Sequence, residues 1–564
     1  MPHAEPHVTH EVLNQVPPLE GYDVADDPAL LEAVAREAGP GAGDALHDLG
    51  VRAGSAEVRE MARLANEHPP VLRTHDARGN RIDEVEFHPA WHQLMAAAVG
   101  GGLHATPWLD DAPGAHVTRA AGFYVWTQAE AGHGCPISMT YASVPALRHE
   151  PALAGRFGPL LASRSYDPGL RPPDGKAGLL AGMAMTEKQG GSDVRAGTTR
   201  AVPAADGYLL TGHKWFCSAP MCDLFLVLAQ APEGLSCFLL PRVLPDGSRN
   251  AMRIQRLKDK LGNRSNASSE VEYDGAFAWL VGEPGRGVAT ILDMVSATRL
   301  DCVLGSAAAI RSGCVAAVHH ARHRYSFGSP LASHPLMRSV LADLILESEA
   351  AAALAMRLAG AADRAARGDT GEATLLRLAL PAAKYWVCKR APAAVGEALE
   401  CLGGNGYVEE SGLPRLYRDA PLNSIWEGSG NVTALDVLRA LARAPGAADA
   451  LFAEIDLAAG GDRRLDAAAG LLRRELKDAV AALAGPADAG AAQAQYRARR
   501  LAAAITVTLQ AALLVRHAPA AVAGGFCASR FAADGAAAAG AFGMLPDGLE
   551  LGPVIDRAVV SGPK

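Results

Sequence analysis

The chain has 564 residues, too long for one hydrophobic core, so two to four domains are expected. Apolar residues make up 49% and charged residues 20%, which excludes a disordered chain, and a net charge of -8 excludes a protein that binds nucleic acid by bulk charge. Nine scattered cysteines without a CxxC pair exclude zinc-ligand spacing and point to a reduced, intracellular protein.

The start, Met1-Pro2-His3-Ala4-Glu5-Pro6-His7, lacks the basic-then-apolar pattern of a secretion signal. No uncharged apolar run approaches the roughly 20 residues that span a bilayer. The expectation is a cytoplasmic protein with no membrane partner. Residues 1–50 are polar and broken by Pro and Gly. They read as an extended arm with one short helix near Pro28–Ala38, lying on another surface or a neighbouring subunit, or else as a disordered tail.

Residues 51–178 are helical in pattern. Ala56–Glu67, Pro89–Val99 and Val117–Ala131 repeat apolar residues at three-to-four spacing, and Pro136 reads as a stop. The Pro/Gly-rich run Asp167–Gly178 reads as a linker. Residues 179–285 change texture. Short strand-like runs follow at Leu179–Met185, Tyr208–Gly212, Leu224–Gln230, Ser236–Pro241, Met252–Leu257 and Ser269–Tyr273, which predicts a small β-barrel or sandwich. Residues 286–445 return to helix, with Gly287–Arg324, His334–Arg367 and Gly371–Leu402 long enough to pack as an antiparallel bundle. An extra Ala-rich helical region fills 446–564 and ends in the low-complexity run Ala532–Gly540. The fold class is α+β, mainly α, and a β-domain between two helical domains leaves a cleft for a flat cofactor.

Five stretches carry chemistry. Met185-Thr186-Glu187-Lys188-Gln189-Gly190-Gly191-Ser192-Asp193 offers amides and hydroxyls on a loop after a strand, able to cradle a ring edge and a pyrophosphate. Gly212-His213-Lys214-Trp215-Phe216-Cys217-Ser218-Ala219 supplies two aromatic rings. Arg324-Tyr325-Ser326-Phe327-Gly328 ends a long helix with a guanidinium beside a ring, and Leu402-Gly403-Gly404-Asn405-Gly406-Tyr407 is a glycine turn. Asn423-Ser424-Ile425-Trp426-Glu427-Gly428-Ser429-Gly430-Asn431 sets a carboxylate between apolar walls. It reads either as a partly desolvated general base facing a bound ring system or as a helix-capping turn. His319-His320-x-x-His323 has no matching acids and reads as a helix face, so no metal is expected. Glu187 beside Lys188 reads as a surface pair.

In this order the five motifs resemble the acyl-CoA dehydrogenase flavoproteins, over about residues 100–445. Asn-Ser-Ile-Trp-Glu-Gly-Ser-Gly-Asn, Met-Thr-Glu-Lys-Gln-Gly-Gly-Ser-Asp-Val, the stretch Arg256–Ser268 and the region after 445 resemble the adaptive-response alkylation-protection (AidB-like) branch of that family. The resemblance implies the acyl-CoA dehydrogenase fold and bound FAD. It implies Met185, Thr186, Gly191 and Ser192 along the flavin and its pyrophosphate, and Trp215, Phe216 and Ser218 over the ring and its reactive edge. It implies Ile425, Trp426, Gly428, Ser429 and Asn431 passing the other side toward the adenosine half. It implies that Arg324 and Phe327 reach in from a neighbouring subunit of a homotetramer.

Glu427 matches the family's catalytic base for α,β-dehydrogenation of an acyl-CoA. Some family members carry the base on the helix that here reads Met294–Leu300, but this chain has no carboxylate at the matching place there. Two departures concern the substrate: Trp426 where the family commonly has Tyr, which narrows the acyl pocket, and the loop Lys260–Ser269. The AidB-like branch further implies duplex DNA binding and protection in the alkylation response, with Arg439 and Arg530 as candidate contacts and residual dehydrogenase competence. The alternatives are a metabolic dehydrogenase of a short or branched acyl-CoA, or a DNA-binding protein whose flavin is structural. Residues 441–564 hold 11 Arg and 2 Lys against 12 Asp and Glu. Arg473-Arg474 and Arg497, Arg499 and Arg500 could thus be phosphate contacts or simply solvated helix faces.

Overall fold

The computed structural model describes residues 9–484, 489–532, 535 and 540–560; the first residues of the chain and most of the run Ala532–Gly540 lie outside that range. The chain begins with helices α1 (Pro28–Ala38), α2 (His47–Ala53) and α3 (Ala56–Glu67). Asp27 caps α1, accepting from the amide of Ala29 at 3.1 Å, while its other oxygen accepts from Tyr124 Oη at 2.9 Å. The arm is thus anchored in its own chain: Tyr22, Val24 and Leu30 join the main core, and Asn14 donates to and accepts from the backbone of Tyr325, each bond at 2.9 Å.

An antiparallel hairpin, β1 (Val71–His75) and β2 (Arg81–Glu86), interrupts the predicted all-helical run. Its turn is built by Asp76, whose carboxylate accepts from the amides of Arg78 and Asn80 at 2.8 Å, an Asx arrangement that adds to the backbone bond from Asp76 to the Asn80 carbonyl. Helices α4 (Pro89–Gly100), α5 (Ala115–Thr127), α6 (Gly134–Leu147) and α7 (Pro151–Leu161) follow. Pro136 is not a stop. It occupies the first turn of α6, where a missing N–H removes no intrahelical bond.

Seven strands make the middle region: β3 (Ala181–Ala184), β4 (Arg200–Ala204), β5 (Gly207–Ser218), β6 (Leu224–Ala231), β7 (Gly234–Pro241), β8 (Met252–Leu257) and β9 (Ser268–Val281). All predicted runs are strands; β4 is the one unforeseen. Strand β6 pairs antiparallel with β7 along one edge, and its other edge is shared by β3 from Leu224 and by β4 at Gln230. The pairings β4–β5, β5–β9 and β9–β7 complete a closed circuit, a barrel rather than a sandwich. Closure buries both faces of β6, which explains its unbroken apolar run.

Helices α8 (Gly287–His323), α9 (Pro335–Ala366) and α10 (Thr370–Cys401) form the bundle, followed by α11 (Leu413–Asp419) and α12 (Gly430–Arg443). A two-residue hairpin between Tyr325–Ser326 and Ser329–Pro330 separates α8 from α9. Beyond it lie α13 (Ala447–Asp456), α14 (Arg463–Ala484), α15 (Ala489–His517), α16 (Ala520–Arg530) and α17 (Leu551–Asp556). Ile505, Leu509 and Leu513 of α15 bury in one continuous core with Leu354 of α9 and Leu378 of α10. Helices α8 and α15 are long and apolar enough to cross a membrane, yet 72% of each apolar window is buried against other elements, the pattern of core helices.

The N-terminal helices are locked to the bundle by a buried bidentate pair. Arg119 of α5 and Asp301 of α8 are 2% and 1% exposed, with Nη2 to Oδ2 at 2.9 Å. Asp301→Ala leaves the Arg119 guanidinium uncompensated and is expected to cost about 3–5 kcal/mol in urea unfolding. Arg63→Ala, which breaks solvent-exposed i,i+3 and i,i+4 pairs, is expected to leave the urea midpoint nearly unchanged.

Candidate active site

The chain leaves β3 through Met185 and Thr186 and turns beside β5. The carbonyl of Thr186 accepts from the amide of Trp215 at 2.8 Å, so the glycine loop and the aromatic stretch lie edge to edge. Glu187 is not a surface residue paired with Lys188. It is 1% exposed, and its carboxylate meets Lys214 Nζ at 2.8 Å. It also accepts from the amides of Thr198 and Thr199 and from both their hydroxyls. Burial alone would raise its pKa, but Lys214 and the threonine donors outweigh it and hold the carboxyl far below its ordinary value. The loop is thereby rigid where it must approach a ligand. At Gly191 an added Cβ would stand 2.4 Å from Thr186 Oγ1, so only glycine fits.

Trp215 and Phe216 follow on β5. Lys258 Nζ sits 3.2 Å from the Trp215 ring centroid, a cation–π contact. Phe216 is 47% exposed. Ser218 pairs with Ser268 across the ladder to β9. Burial pushes the Cys135 thiol of α6 up to about 11, and the thiol lies near enough to Lys260, Ser218 and Glu427 to feel each of them. Cys135 thus connects the strand side of the site to the Glu427 side. Beside it Lys260 Nζ donates to the carbonyl of Asn266 at 2.5 Å, and burial lowers the amine to about 8.

Glu427 lies in the turn between α11 and α12. Its φ is +58° and that of Gly428 is +106°, a left-handed passage that is costly for the first residue and natural for the second. Cations secure the turn. Lys384 Nζ of α10 donates to the carbonyls of Trp426 at 2.7 Å and Gly428 at 2.5 Å. Arg299 Nε of α8 donates to the carbonyl of Glu427 at 3.1 Å, while its Nη1 meets Asp436 at 2.6 Å. One carboxylate oxygen of Glu427 accepts from Thr298 Oγ1 at 2.8 Å. Burial raises the Glu427 pKa, opposed by Thr298, Lys384 and Arg299. The stretch Met294–Leu300, which lacks a carboxylate, therefore serves the one at Glu427.

Trp426 is tied by Nε1 to Asn423 Oδ1 at 3.0 Å and packs on the apolar cluster of Met139, Leu147, Phe157 and Met294, which Met185, Cys135 and Ala297 also border. Ile425 is 61% exposed. Ser429 caps α12 in extended conformation. Asn431 Oδ1 accepts from Arg499 Nε of α15 at 2.8 Å, which brings an extra-domain arginine to this end of the site. The surfaces suit a flat, polyheteroatomic cofactor: open apolar Phe216 and Ile425 for its faces, Thr186 and Ser218 hydroxyls for its edge, and a Cβ-free approach at Gly191.

Other expected residues lie elsewhere. Ser192 is exposed on the loop. Arg324 is occupied within the chain by the carbonyl of Asn14, and Phe327 is 96% exposed on the hairpin tip at φ +51°. At about 1.5 Å per residue, Arg324 stands about 40 Å from Thr298 along α8, too far to complete the Glu427 site of its own chain. Arg439 is exposed on α12. Arg530 is not: it is 4% exposed and paired to Asp343 at 2.7 Å and Glu347 at 3.1 Å, so it is a core ion pair, not a surface phosphate contact. His319 Nε2 donates to the carbonyl of Pro17 at 2.8 Å, and no metal cluster exists among the described residues. Sequence reasoning missed Lys384, Thr298, Arg299, Cys135 and Lys260 as parts of the site.

The loop Lys260–Ser269 is held from beneath by Asp419, whose Oδ1 accepts from the amide of Asn263 at 2.5 Å. Burial, with a smaller push from Glu130, raises the Asp419 carboxyl to about 7 from an ordinary 3.8. Between those values the folded chain holds a proton that the unfolded chain has lost, so stability contributed here falls as pH rises from about 4 to 7. Asp419→Asn is expected to abolish that decline, and urea unfolding at the two ends of the window checks it.

Three family models match the chain: the adaptive response protein AidB N-terminal domain over 14–168, the acyl-CoA dehydrogenase middle domain over 182–276, and the acyl-CoA dehydrogenase C-terminal domain over 285–442. AidB of Escherichia coli (strain K12), a relative carrying the acyl-CoA dehydrogenase name, is 51% identical over 473 residues, covering 83% of this chain and 87% of the relative. The structure of Caenorhabditis elegans ACDH-11 in complex with C11-CoA superposes with a TM-score of 0.83 at 29% identity, over 92% of this chain and 91% of that one. An acyl-CoA dehydrogenase complexed with FAD from Bacillus anthracis shares the fold at a TM-score of 0.62 and 20% identity, over 76% of each chain. The chain belongs to the acyl-CoA dehydrogenase family, with an AidB-type N-terminal region, and is an FAD-dependent oxidoreductase.

Proposed function

We propose that this protein removes hydrogen from the α and β carbons of an acyl-CoA with Glu427 as the base. The observation that carries the reading is the Glu427 carboxylate, half-buried, bonded to Thr298 and held in a left-handed turn beside the aromatic stretch. Bound FAD supplies the acceptor for the β-hydrogen, which leaves with its electron pair. Met185, Thr186, Gly191 and Ser192 would hold it from the loop, and Trp215, Phe216 and Ser218 from β5. Ile425, Trp426, Gly428, Ser429 and Asn431 would hold it from the opposite side.

Glu427 takes the α-proton, and the electrons of that bond become the new double bond. Burial makes the carboxylate a stronger proton acceptor than one in water, while Lys384, Arg299 and Thr298 keep it ionised. Trp426 and the Met139–Met294 cluster wall the acyl chain and exclude water. Binding of C11-CoA by the structural relative ACDH-11 supports an acyl-CoA substrate. The exposed Phe327 and the distance of Arg324 from its own Glu427 support a homo-oligomer, a tetramer in our reading, in which they serve another copy. We place the protein in the cytoplasm.

A second, AidB-like role rests on its own observation: binding duplex DNA in the alkylation response, with the dehydrogenase activity weak. Arg439, Arg474 and Arg497 are exposed and without a carboxylate partner among the described residues. The likeness to E. coli AidB supports the same reading. Arg530 has no part in it.

Anaerobic addition of short acyl-CoAs is expected to bleach the flavin, and Glu427→Gln to slow bleaching by about 10²- to 10⁴-fold. Wild-type rates in the Gln variant would remove Glu427 from the chemistry. Titration with duplex DNA at several salt concentrations is expected to show affinity falling with salt, with a shallower slope in Arg439→Ala. Binding that is absent or indifferent to salt would leave only the dehydrogenase reading.

A further inference from the structure

The amine of Lys384 is buried at 1% exposure on α10, the helix whose Tyr385 and Lys389 also lie against Gly430 at the end of the Glu427 turn. It has no carboxylate partner within ion-pair distance among the described residues. Its two bonds go to the carbonyls on either side of Glu427. With Arg299 on the carbonyl of Glu427 itself, three successive carbonyls are fixed by two cations. A buried ammonium is costly unless its charge is compensated. Here the compensating anion is the Glu427 carboxylate, which responds to Lys384 electrostatically.

We propose that Lys384 is a positioning residue for the base: it clamps the left-handed turn and holds the Glu427 carboxylate ionised and aimed. This rests on the reading of Glu427 as the base. The charges facing Glu427 come from each element around it. Lys384 lies on α10, Arg299 on α8 and the thiol of Cys135 on α6, and the thiol of Cys302 on α8 feels the carboxylate as well. Arg299 is largely spent on Asp436, which also meets Arg377 at 2.9 Å. Lys389 of α10 lies beside Gly430 but bonds no carbonyl of the turn among the described residues, so Lys384 is the cation that both bonds the turn and has no carboxylate other than Glu427 to answer it. The neutral thiols supply no counter-charge.

The test uses the FAD-loaded protein and three variants, Lys384→Met, Lys384→Gln and Lys384→Arg. Two quantities are read against pH. One is the rate of anaerobic bleaching by a short acyl-CoA. The other is the titration of Glu427 itself, from its labelled carboxyl resonance assigned by loss in Glu427→Gln. The Met and Gln variants are expected to retain the flavin and its absorbance. Both midpoints are expected to rise by about one pH unit, since an opposite charge has been withdrawn, and kcat to fall more than KM rises. The Arg variant is expected to keep the wild-type midpoints. Gln can still donate to one carbonyl, so it carries the test if Met does not fold.

Unshifted midpoints in Met or Gln, or an equal shift in Arg, would overturn the proposal. The resonance titration needs no substrate. If no acyl-CoA bleaches the wild-type protein, the reading of Glu427 as a base fails, while the titration still reports on Lys384.

Discussion

The left-handed turn at Glu427 is unfavourable by itself. A non-glycine residue at φ +58° gives up about 1–2 kcal/mol relative to its relaxed backbone, and its carboxylate sits where burial opposes its charge. The bonds from Lys384, Arg299 and Thr298 offset both costs at once. They come from α8 and α10, so the turn exists only when the bundle is assembled. Strain of this kind is the usual mark of a site that must present one atom in one direction.

The same dependence runs through the other half of the site. The glycine loop is shaped by Glu187, and Glu187 is held by Lys214 on β5 and by Thr198 and Thr199 before β4. Closing the barrel therefore also sets the loop. The helices pack against the barrel through the Met139–Phe157–Met294 cluster, which brings Met185 and Trp426 to one apolar wall. Two rigid supports, one of strands and one of helices, face each other across the space a flat cofactor needs.

The helices after Gly446 extend that arrangement. Helix α15 shares the core of α9 and α10 and sends Arg499 to Asn431 at the start of α12. The Asn431 end of the candidate site and the extra helices are therefore mechanically joined. The two arginines expected to meet DNA divide by burial: Arg439 is open to solvent, whereas Arg530 neutralises Asp343 and Glu347 inside the core.

Much of the fold was legible in the chain. Apolar runs with turn residues marked six of the seven barrel strands, and three-to-four spacing marked α8, α9 and α10 to within a few residues, because those signals are local. The Glu427 stretch also declared itself, since a carboxylate between glycines and an indole is uncommon. The hairpin β1–β2 was hidden by its helical neighbours, and the alternation over five or six residues was too short to compete. Glu187 was misread because the nearest cation in sequence was Lys188, whereas the one in space is Lys214. By itself the sequence determined most of the elements, their order and the Glu427 stretch as a candidate site, all of which follow from neighbouring side chains and backbone preference. Only the tertiary structure decided which charges meet: Lys384 under Glu427, Lys214 on Glu187, Arg530 in the core. Ion pairing between distant elements depends on packing geometry, and no spacing along the chain encodes it.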